Sequence, residues 1–390
     1  MKRVLYDLLS FIKSLYPNED PIPLHAPRFQ EKEKEYLADC IDSTYVSYVG
    51  PYVTKFEDSI RAYTGALHAI AMVNGTAAIQ IALIAAGLQP GEEVITQALT
   101  FVATANGIKH ADGEPVFIDV DKDTLGMSPV ALSEFLSRNI EKRNDGCYNT
   151  KTGRKLFAVM PMHTFGLACR IKQIKAICEE WGLLLMEDAA ESLGTFVEGI
   201  HTGNFGIASV LSFNGNKPVT TGGGGMILTN NDAIAEKARH ISTTAKLKHQ
   251  WEFFHDELGW NYRMPNVNAA IGFAQMERID AIIKNKQETA QLYAEWGKKN
   301  GVQFIHEMPG THSNYWLNAM VVTNRDEREE FLAYSNANGV QTRPIWVLMN
   351  KLPMYKNNFS GPLENSLWLE DRIVNVPSSV RICSDTPRAP

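Results

Sequence analysis

Short, almost continuous apolar runs recur along the first two thirds of the chain. They are EEVIT at 92–96, PVFIDV at 115–120, LFAVMPM at 156–162, GLLLMED at 182–188, ASVLSF at 208–213 and GMILT at 225–229. A strand that is buried on both faces has this pattern, whereas a half-exposed strand alternates apolar and polar residues. The runs therefore predict the strands of a sheet that is covered on both sides.

Helical patterns separate these runs, with the clearest examples at 76–86, 129–139 and 171–181. This alternation predicts an α/β domain with a mostly parallel central sheet covered by helices. From about Pro265 a charged helical pattern continues to Lys299, and a shorter α+β region follows. We therefore expect a large domain at 1–264, which begins with a short amphipathic helix, and a smaller C-terminal domain at 265–390. The polar segment 139–154 predicts an exposed loop or excursion.

Composition narrows the class of protein. The chain has 390 residues, a net charge of -6 and five scattered cysteines without a CxxC pair. This charge argues against a nucleic-acid partner, and the cysteine pattern argues against a disulfide framework or a zinc site. The opening residues lack a signal-peptide pattern, and the most apolar window, 67–88, is polar at its centre. We expect a cytoplasmic protein without membrane or metal contacts.

Two charged residues follow predicted strands, where open α/β sheets bind ligands. Asp188 ends GLLLMED, and Lys217 follows ASVLSF and precedes TTGGGG. Taken alone, Asp188 is equally a helix N-cap, and Lys217 is more simply an exposed loop lysine. Together they suit a pyridine aldehyde cofactor, because the carboxylate pairs with the protonated ring nitrogen and the amine forms a Schiff base.

Such a cofactor also carries a phosphate, which backbone N–H groups at a helix start can bind. Gly75 and Thr76 open the helix in NGTAA, and Ser212 offers a hydroxyl. Phe101 is placed to stack on a flat ring. The alternatives are a plain turn with a capping threonine for NGT and a core aromatic for Phe101.

These residues resemble the DegT/DnrJ/EryC1/StrS family of sugar aminotransferases over nearly the whole chain. The matching blocks are NGTAA at 74–78, ALTFVATANGI at 98–108, PVFIDVD at 115–121, EDAAESLG at 187–194, SFNGNK at 212–217, TTGGGGMI at 220–227, LGWNYRMPNVNAAIG at 258–272, and LPMYK with VPSS near the end. The resemblance implies the pyridoxal-phosphate-dependent transferase fold of type I and pyridoxal 5'-phosphate as the cofactor.

By position, Lys217 resembles the lysine that bonds the cofactor, and Asp188 resembles the partner of its ring nitrogen. Gly75, Thr76 and Ser212 resemble phosphate ligands, and Phe101 resembles the stacking ring. Asn261 resembles an asparagine lent to the phosphate by the neighbouring subunit, which implies a homodimer with shared active sites. His163 lies at another strand end, where a substrate role competes with that of a packed, hydrogen-bonded histidine.

Three positions depart from the common family pattern. Gly223 and Asn350 stand where many members have glutamate and histidine. Glu191 stands where the family often has a residue that donates to the cofactor's phenolic oxygen. An ionised carboxylate would repel that oxygen, so we expect Glu191 either to be protonated or to contact another partner.

The reaction implied is transfer of an amino group from glutamate to the C4 keto group of a nucleotide-linked 4-keto-6-deoxy sugar for surface glycans. Blocks such as DCIDSTYVSYVG and DTLGMSP resemble the subgroup for bacillosamine- and legionaminic-type sugars, which favours a UDP-linked 2-acetamido sugar. Arg263 and Arg343 are candidates for its diphosphate, although each is as readily a structural ion pair. A family branch of sugar dehydratases has histidine in place of Lys217, and a non-catalytic regulatory relative would be expected to have lost Lys217 or Asp188; both alternatives are disfavoured.

Overall fold

The computed structural model describes residues 2–381. The helices in this part of the chain are α1 (Lys2–Leu15), α2 (Glu31–Asp42), α3 (Pro51–Thr64), α4 (Gly75–Ala86), α5 (Val102–His110), α6 (Pro129–Asn139), α7 (Ile171–Trp181), α8 (Asp232–Ser242), α9 (Asn266–Met276), α10 (Ile279–Asn300), α11 (Arg325–Ala337) and α12 (Glu364–Glu370). The strands are β1 (His68–Met72), β2 (Glu93–Gln97), β3 (Glu114–Ile118), β4 (Ile140–Arg143), β5 (Gly146–Asn149), β6 (Lys155–Met160), β7 (Leu184–Asp188), β8 (Phe196–Val197), β9 (Ile200–His201), β10 (Ala208–Ser212), β11 (Gly225–Thr229), β12 (Gln303–Phe304), β13 (Thr311–His312), β14 (Asn318–Val321), β15 (Arg343–Pro344) and β16 (Ile373–Val376). Within residues 2–381, every helix is too short or too polar to cross a lipid bilayer.

The large sheet has the strand order β1-β11-β10-β7-β6-β2-β3. Its pairings are parallel from β10 to β3, and β11 runs antiparallel to both β1 and β10. The sheet is therefore mixed, with one reversed strand in an otherwise parallel set. As a result, the carboxyl ends of six strands and the amino end of β11 lie along the same edge.

Both faces of this sheet are buried, which explains the continuous apolar runs. In β1 and β11, Ala69, Ala71 and Leu228 pack into one hydrophobic cluster, while Ile70 and Ile227 pack into the cluster on the opposite face. Successive side chains of a strand point to opposite faces, so both sets must be apolar when helices cover the two sides.

The C-terminal part of the chain forms a four-stranded antiparallel sheet in the order β12-β14-β16-β15. Helix α1 packs with it, since Leu8 and Ile12 share a buried cluster with Phe304 and Phe331. A three-stranded sheet joins β13 to β8 and β9, and so connects the two parts of the chain. The division into domains at residue 264 stays a prediction.

The six predicted strands and the amphipathic helix at the start of the chain are confirmed. Of the exposed loop or excursion predicted at 139–154, the structure shows the excursion, because β4 and β5 pair as an antiparallel hairpin in which residues 141–145 are exposed. The helical pattern that runs to Lys299 is divided between α9 and α10. The four cysteines within residues 2–381 are free and buried; Cys383 lies outside the described residues.

Candidate active site

Five of the residues that the sequence singles out lie along the edge where the six strand ends meet. Asp188 is the last residue of β7, and Ser212 is the last residue of β10. Gly75 begins α4 shortly after β1, and Phe101 precedes α5 shortly after β2. Lys217 follows β10 by a short turn in which its N–H donates to the Asn214 carbonyl at 2.9 Å. The topology thus brings together residues that are far apart in sequence.

Lys217 is buried between a carboxylate and an aromatic ring. Its Nζ lies 3.3 Å from Glu191 Oε1 and 3.5 Å from the centroid of the Trp316 ring. Burial lowers the pKa of Lys217, and the Glu191 carboxylate opposes this shift. The burial effect favours the neutral amine, which is the form that nucleophilic chemistry requires.

Glu191 has two partners, one for each oxygen. Besides the contact with Lys217, its Oε2 accepts from the Phe165 N–H at 2.8 Å. Burial raises the pKa of Glu191 to about 7, against the lowering effect of Lys217. The expectation that this carboxylate either is protonated or has another partner is compatible with both observations.

Asp188 is a buried carboxylate with neutral hydrogen-bond partners. Its Oδ2 accepts from the Thr104 hydroxyl at 2.6 Å, and its Oδ1 accepts from the Ala190 N–H at 3.1 Å. Burial raises the pKa of Asp188, while the Thr104 hydrogen bond opposes the shift. Thr104 is a site residue that the sequence reasoning missed, although it lies within the ALTFVATANGI block.

Small residues surround the start of α4. A Cβ atom added at Gly75 would lie 3.3 Å from Ser212 Cβ, and one at Gly225 would lie 2.5 Å from the Asn74 backbone. Asn74 caps the helix by accepting from the Ala77 N–H at 2.8 Å. The first N–H groups of a helix have no partner within it, so those of Gly75 and Thr76 are suited to an anion beside the Ser212 hydroxyl.

Four aromatic rings form a wall from Phe101 towards Lys217. The ring centroids are 6.1 Å apart for Phe101 and Trp346, 5.0 Å for Trp346 and Phe165, and 6.4 Å for Phe165 and Trp316. Phe101 is 48% exposed, so it is not the core aromatic of the alternative reading. Its ring is free to stack on a planar ligand.

These residues fit pyridoxal phosphate. The start of α4 with Ser212 suits the phosphate, the buried carboxylate of Asp188 suits a protonated ring nitrogen, and Lys217 suits the aldehyde. Phe101 adds an exposed aromatic surface. The individual roles stay predictions, and the geometry supports them because one cofactor would satisfy groups from four separate segments.

His163 is enclosed by groups of the protein. Its side chain is fully buried, its Nε2 lies 3.1 Å from Glu187 Oε2, and its Nδ1 accepts from the Cys169 N–H at 3.3 Å. Both ring nitrogens are therefore used within the protein. The structure favours the packed, hydrogen-bonded alternative over a substrate role.

The two arginines proposed for the diphosphate also have protein partners. Arg263 is buried, and its Nη2 lies 2.7 Å from Glu57 Oε1, whose second oxygen pairs with Arg239 at 3.0 Å. Arg343 is exposed on β15, where its Nη1 donates to Asn336 and to the Thr342 carbonyl. Arg263 is thus better explained as an ion pair within the protein, whereas the hydrogen bonds of Arg343 within residues 2–381 join it to Asn336 and Thr342 rather than to the site.

The remaining predicted positions lie outside the buried centre. Asn261 is exposed and pairs with Thr243 in an isolated bridge. A Cβ atom at Gly223 would meet nothing within 4 Å, so a longer side chain would fit there. Asn350 Oδ1 is buried without a hydrogen-bond partner among residues 2–381.

Comparison with known proteins gives a consistent result. The sequence profile described as "DegT/DnrJ/EryC1/StrS aminotransferase family" matches residues 27–388. GDP-perosamine synthase of Vibrio cholerae is 36% identical over 369 residues, which cover 93% of this chain and 95% of the relative. GDP-perosamine synthase of Escherichia coli O157:H7 is 34% identical over 362 residues, which cover 92% and 93%.

Solved structures of similar proteins include a DegT DnrJ EryC1 StrS aminotransferase from Brucella abortus. It is 27% identical, has a TM-score of 0.79, and the match covers 89% of this chain and 90% of that one. The structure of DesI with its TDP-sugar product is 26% identical with a TM-score of 0.79, and the match covers 95% and 91%.

Proposed function

The chain belongs to the DegT/DnrJ/EryC1/StrS aminotransferase family, and from that premise we propose that it transfers an amino group from glutamate to the C4 keto group of a nucleotide-linked 4-keto-6-deoxy sugar. It is a pyridoxal-phosphate-dependent sugar aminotransferase. The observation that carries the finer proposal is the buried pair of Lys217 and Glu191 beside Asp188, at the edge where the strands end.

Pyridoxal phosphate, when bound, supplies an electron sink for the carbon that carries the nitrogen. We assign Lys217 Nζ to proton transfer at that carbon, since the amine is buried beside Glu191 and burial lowers its pKa, which favours the neutral form that can accept a proton. Asp188 holds a proton on the cofactor's ring nitrogen, and Thr104 orients the carboxylate. The aromatic wall of Phe101, Trp346, Phe165 and Trp316 limits access of water.

Two nucleotides are candidates for the carrier of the sugar substrate. The relatives at 36% and 34% identity are GDP-perosamine synthases by name, which supports a GDP-linked sugar. The blocks that resemble the bacillosamine- and legionaminic-type subgroup support a UDP-linked 2-acetamido sugar. The comparisons extend over nine tenths of the chain, so we place the GDP-linked sugar first and keep the UDP-linked sugar as the second candidate.

We further propose a homodimer in which each subunit completes the site of the other. Large apolar side chains are exposed on two segments, 41–49 and 247–258, and Trp251, Phe253 and Leu258 are each at least 70% exposed. The first segment contacts the LGWNYRMPNVNAAIG block at 258–272, because Asn266 Nδ2 donates to the Tyr45 carbonyl at 2.6 Å. Exposed apolar surface of this kind is typical of protein interfaces. Asn261 is exposed and follows the end of the second segment by three positions in the sequence.

The test is a two-stage single-turnover assay. The holoenzyme is converted with glutamate, freed of excess donor, and mixed separately with GDP- and UDP-linked 4-keto-6-deoxy sugars, and the products are identified by mass spectrometry. The proposal expects the carbonyl oxygen of a 4-keto sugar to be replaced by an amino group. Loss of water without gain of nitrogen would indicate a dehydratase instead, and transfer only to amino-acid keto acids would overturn the sugar substrate.

A further inference from the structure

Two threonine hydroxyls form a hydrogen-bond chain that ends on the Asp188 carboxylate. Thr100 Oγ1 lies 2.7 Å from Thr104 Oγ1, which in turn lies 2.6 Å from Asp188 Oδ2. Both threonines are fully buried, and in the sequence they stand on either side of Phe101, where the backbone leaves β2 and enters α5. The hydrogen-bond chain therefore connects the segment that carries the exposed Phe101 ring to the buried carboxylate.

The direction of these hydrogen bonds follows from the number of hydrogen atoms. A threonine hydroxyl has one hydrogen to donate and can also accept, whereas an ionised carboxylate only accepts. When Asp188 is ionised, the hydrogen of Thr104 must therefore point to Asp188. Thr104 Oγ1 is then left as an acceptor, so Thr100 is the donor of the 2.7 Å contact. Both hydroxyls thus donate towards the carboxylate.

The Thr100 hydroxyl has two other acceptors within reach, and both are weaker. Met162 Sδ lies at 2.8 Å, and the Phe101 carbonyl lies at 3.4 Å. A thioether sulfur is a weak acceptor, and the second distance is long for a hydroxyl donor. By contrast, a hydroxyl that already donates to a carboxylate is polarised and becomes a better acceptor. Thr104 is thus the preferred acceptor while Asp188 carries its charge.

Gln97 fixes the surroundings of the Thr100 hydroxyl. This fully buried side chain lies on the last residue of β2. Its Nε2 donates to the carbonyl of Leu99, directly before Thr100, at 2.8 Å, and its Oε1 accepts from the Met162 N–H at 3.1 Å. One amide group therefore holds both the residue before Thr100 and the residue whose sulfur faces its hydroxyl.

Asp188 depends on hydrogen bonds of this kind because it is buried. Burial raises its pKa, and the Thr104 hydrogen bond is the first of the effects that lower the pKa again. The charged groups around this carboxylate are Lys217 and His163, which also lower its pKa, together with Glu191 and the partner of His163, Glu187. A second hydroxyl that strengthens the Thr104 hydrogen bond would favour the ionised form further.

We propose that Thr100 is a positioning residue: its hydroxyl donates to Thr104 and thereby strengthens the hydrogen bond that keeps Asp188 ionised and in one orientation towards the cofactor's ring nitrogen. This inference rests on the proposed role of Asp188. Within residues 2–381, the Thr100 hydroxyl reaches the carboxylate by way of Thr104. Its effect should therefore disappear when the Thr104 hydroxyl is absent.

The first test measures the binding of pyridoxamine 5'-phosphate to the apoprotein, because this compound binds without a bond to Lys217. Thr100→Val keeps the shape of the side chain and removes the hydroxyl. Losing support for the ionised form raises the pKa of Asp188, so the acid side of the binding profile should move to higher pH. On that side the affinity should fall about 3- to 10-fold, as expected for one neutral hydrogen bond. Quenching of tryptophan fluorescence over a range of pH measures both effects.

The second test is a double-mutant comparison of turnover. Thr100→Val alone should lower kcat by about 3- to 10-fold, which is less than Thr104→Val, because the lost hydrogen bond is one step removed from the charge. Added to Thr104→Val, the same substitution should lower kcat by less than about twofold. Equal losses with and without the Thr104 hydroxyl would overturn the inference, because Thr100 would then act by its own packing against Met162.

Matched variants isolate the hydroxyl. Thr100→Ser and Thr100→Ala lack the same methyl group and differ in the hydroxyl, so they test the inference even if Thr100→Val does not fold. Thr100→Ser should stay within about twofold of wild type in kcat, and Thr100→Ala should show the loss and the shifted profile. Thr229→Val removes a buried hydroxyl that donates to the Ile207 carbonyl at 2.6 Å, at the end of β11 far from the site, and should change neither.

Asp188→Asn separates failure of this inference from failure of the role on which it rests. If Thr100→Val binds pyridoxamine 5'-phosphate with the wild-type pH profile while Asp188→Asn is impaired, the inference is overturned and the role of Asp188 stands. If Asp188→Asn also binds and turns over like wild type, the role proposed for Asp188 is wrong, and the inference about Thr100 is wrong with it.

Discussion

The Glu191 carboxylate lies 3.3 Å from the Lys217 ammonium, and both side chains are buried. Burial lowers the pKa of Lys217 and Glu191 raises it, so the carboxylate sets how much neutral amine is present at a given pH. The same carboxylate also accepts from the Phe165 N–H, which fixes its orientation.

Replacing Glu191 should therefore change how the protein captures its cofactor. In Glu191→Gln the loss of the negative charge lowers the pKa of Lys217 further, because only the opposing effect is removed. Apoprotein of this variant should bind pyridoxal phosphate covalently faster than wild type near pH 7, with its pH profile moved to lower pH. Stopped-flow absorbance measures this rate. Glu198→Gln, in the exposed pair with Lys172, is the control, and superimposable profiles for Glu191→Gln and wild type would contradict the prediction.

Lys217 is expected to be the lysine that bonds the cofactor. Borohydride reduction of the wild-type holoenzyme should fix one cofactor on the peptide that contains residue 217, and Lys217→Ala should give no such adduct. Lys286→Met, which removes another buried lysine, should retain it. Peptide mass spectrometry distinguishes the positions, and an adduct on a different lysine in Lys217→Ala would refute the assignment.

The Thr104 hydroxyl should contribute to turnover through Asp188. The 2.6 Å hydrogen bond stabilises the ionised carboxylate, and Asp188 needs that charge to hold the ring nitrogen protonated. A hydrogen bond to a charged group contributes about 1.5–3 kcal/mol, so Thr104→Val should lower kcat by roughly 10- to 100-fold. Asp188→Asn should retain the fold and lower kcat further. Near-normal turnover in Thr104→Val with an intact circular dichroism spectrum would show that Asp188 does not depend on this bond.

Much of this site could be predicted because its candidate residues lie at or just after the ends of strands. A run such as GLLLMED identifies both a buried strand and the residue at its end, so Asp188 was recognisable before the order of the strands was known. The reversal of β11 could not be predicted in this way, because GMILT reads the same in a parallel and in an antiparallel strand.

Thr104 was missed and the role of Arg263 was misjudged because both residues bind partners that are distant in the sequence. Nothing in the residues next to Arg263 shows that its carboxylate partner is Glu57, which is 206 positions away. Thr104 carries no local signal either, since its partner Asp188 is 84 positions away.

Shared active sites predict recovery of activity in mixed dimers. Lys217→Ala and Asn261→Ala subunits should each be inactive or weakly active alone. When the two variants are mixed and allowed to exchange subunits, one of the two active sites in each heterodimer has both residues intact. Activity should therefore return at no more than half of the active sites of the heterodimers. Sedimentation should give a dimer for each variant. If mixing restores nothing although exchange is shown by mass labels, Asn261 acts within its own chain.

Lys286 should make stability depend on pH in a range where few other groups titrate. Its side chain is fully buried, and its Nζ donates to the carbonyls of Trp316 and Ser378. Burial lowers its pKa to about 7 from 10.5. Between these values the residue is neutral in the folded protein and charged in the unfolded chain, so unfolding takes up a proton and becomes less favourable as pH rises.

The contribution of Lys286 to the free energy of unfolding is therefore fully present above pH 10.5 and is lost as pH falls through about 7. In Lys286→Met the two carbonyls lose their donor at every pH, which adds a constant offset, but the proton uptake disappears. The stability of wild type relative to the variant should thus increase by about 2 kcal/mol from pH 7.5 to pH 9, at roughly 1.4 kcal/mol per pH unit. Urea unfolding of the holoenzymes at several pH values measures this difference, and the exposed Lys34→Met is the control because it should show no such slope. A constant difference between wild type and Lys286→Met would mean that the ammonium keeps its proton in the folded state, held by the Trp316 and Ser378 carbonyls more strongly than burial opposes it.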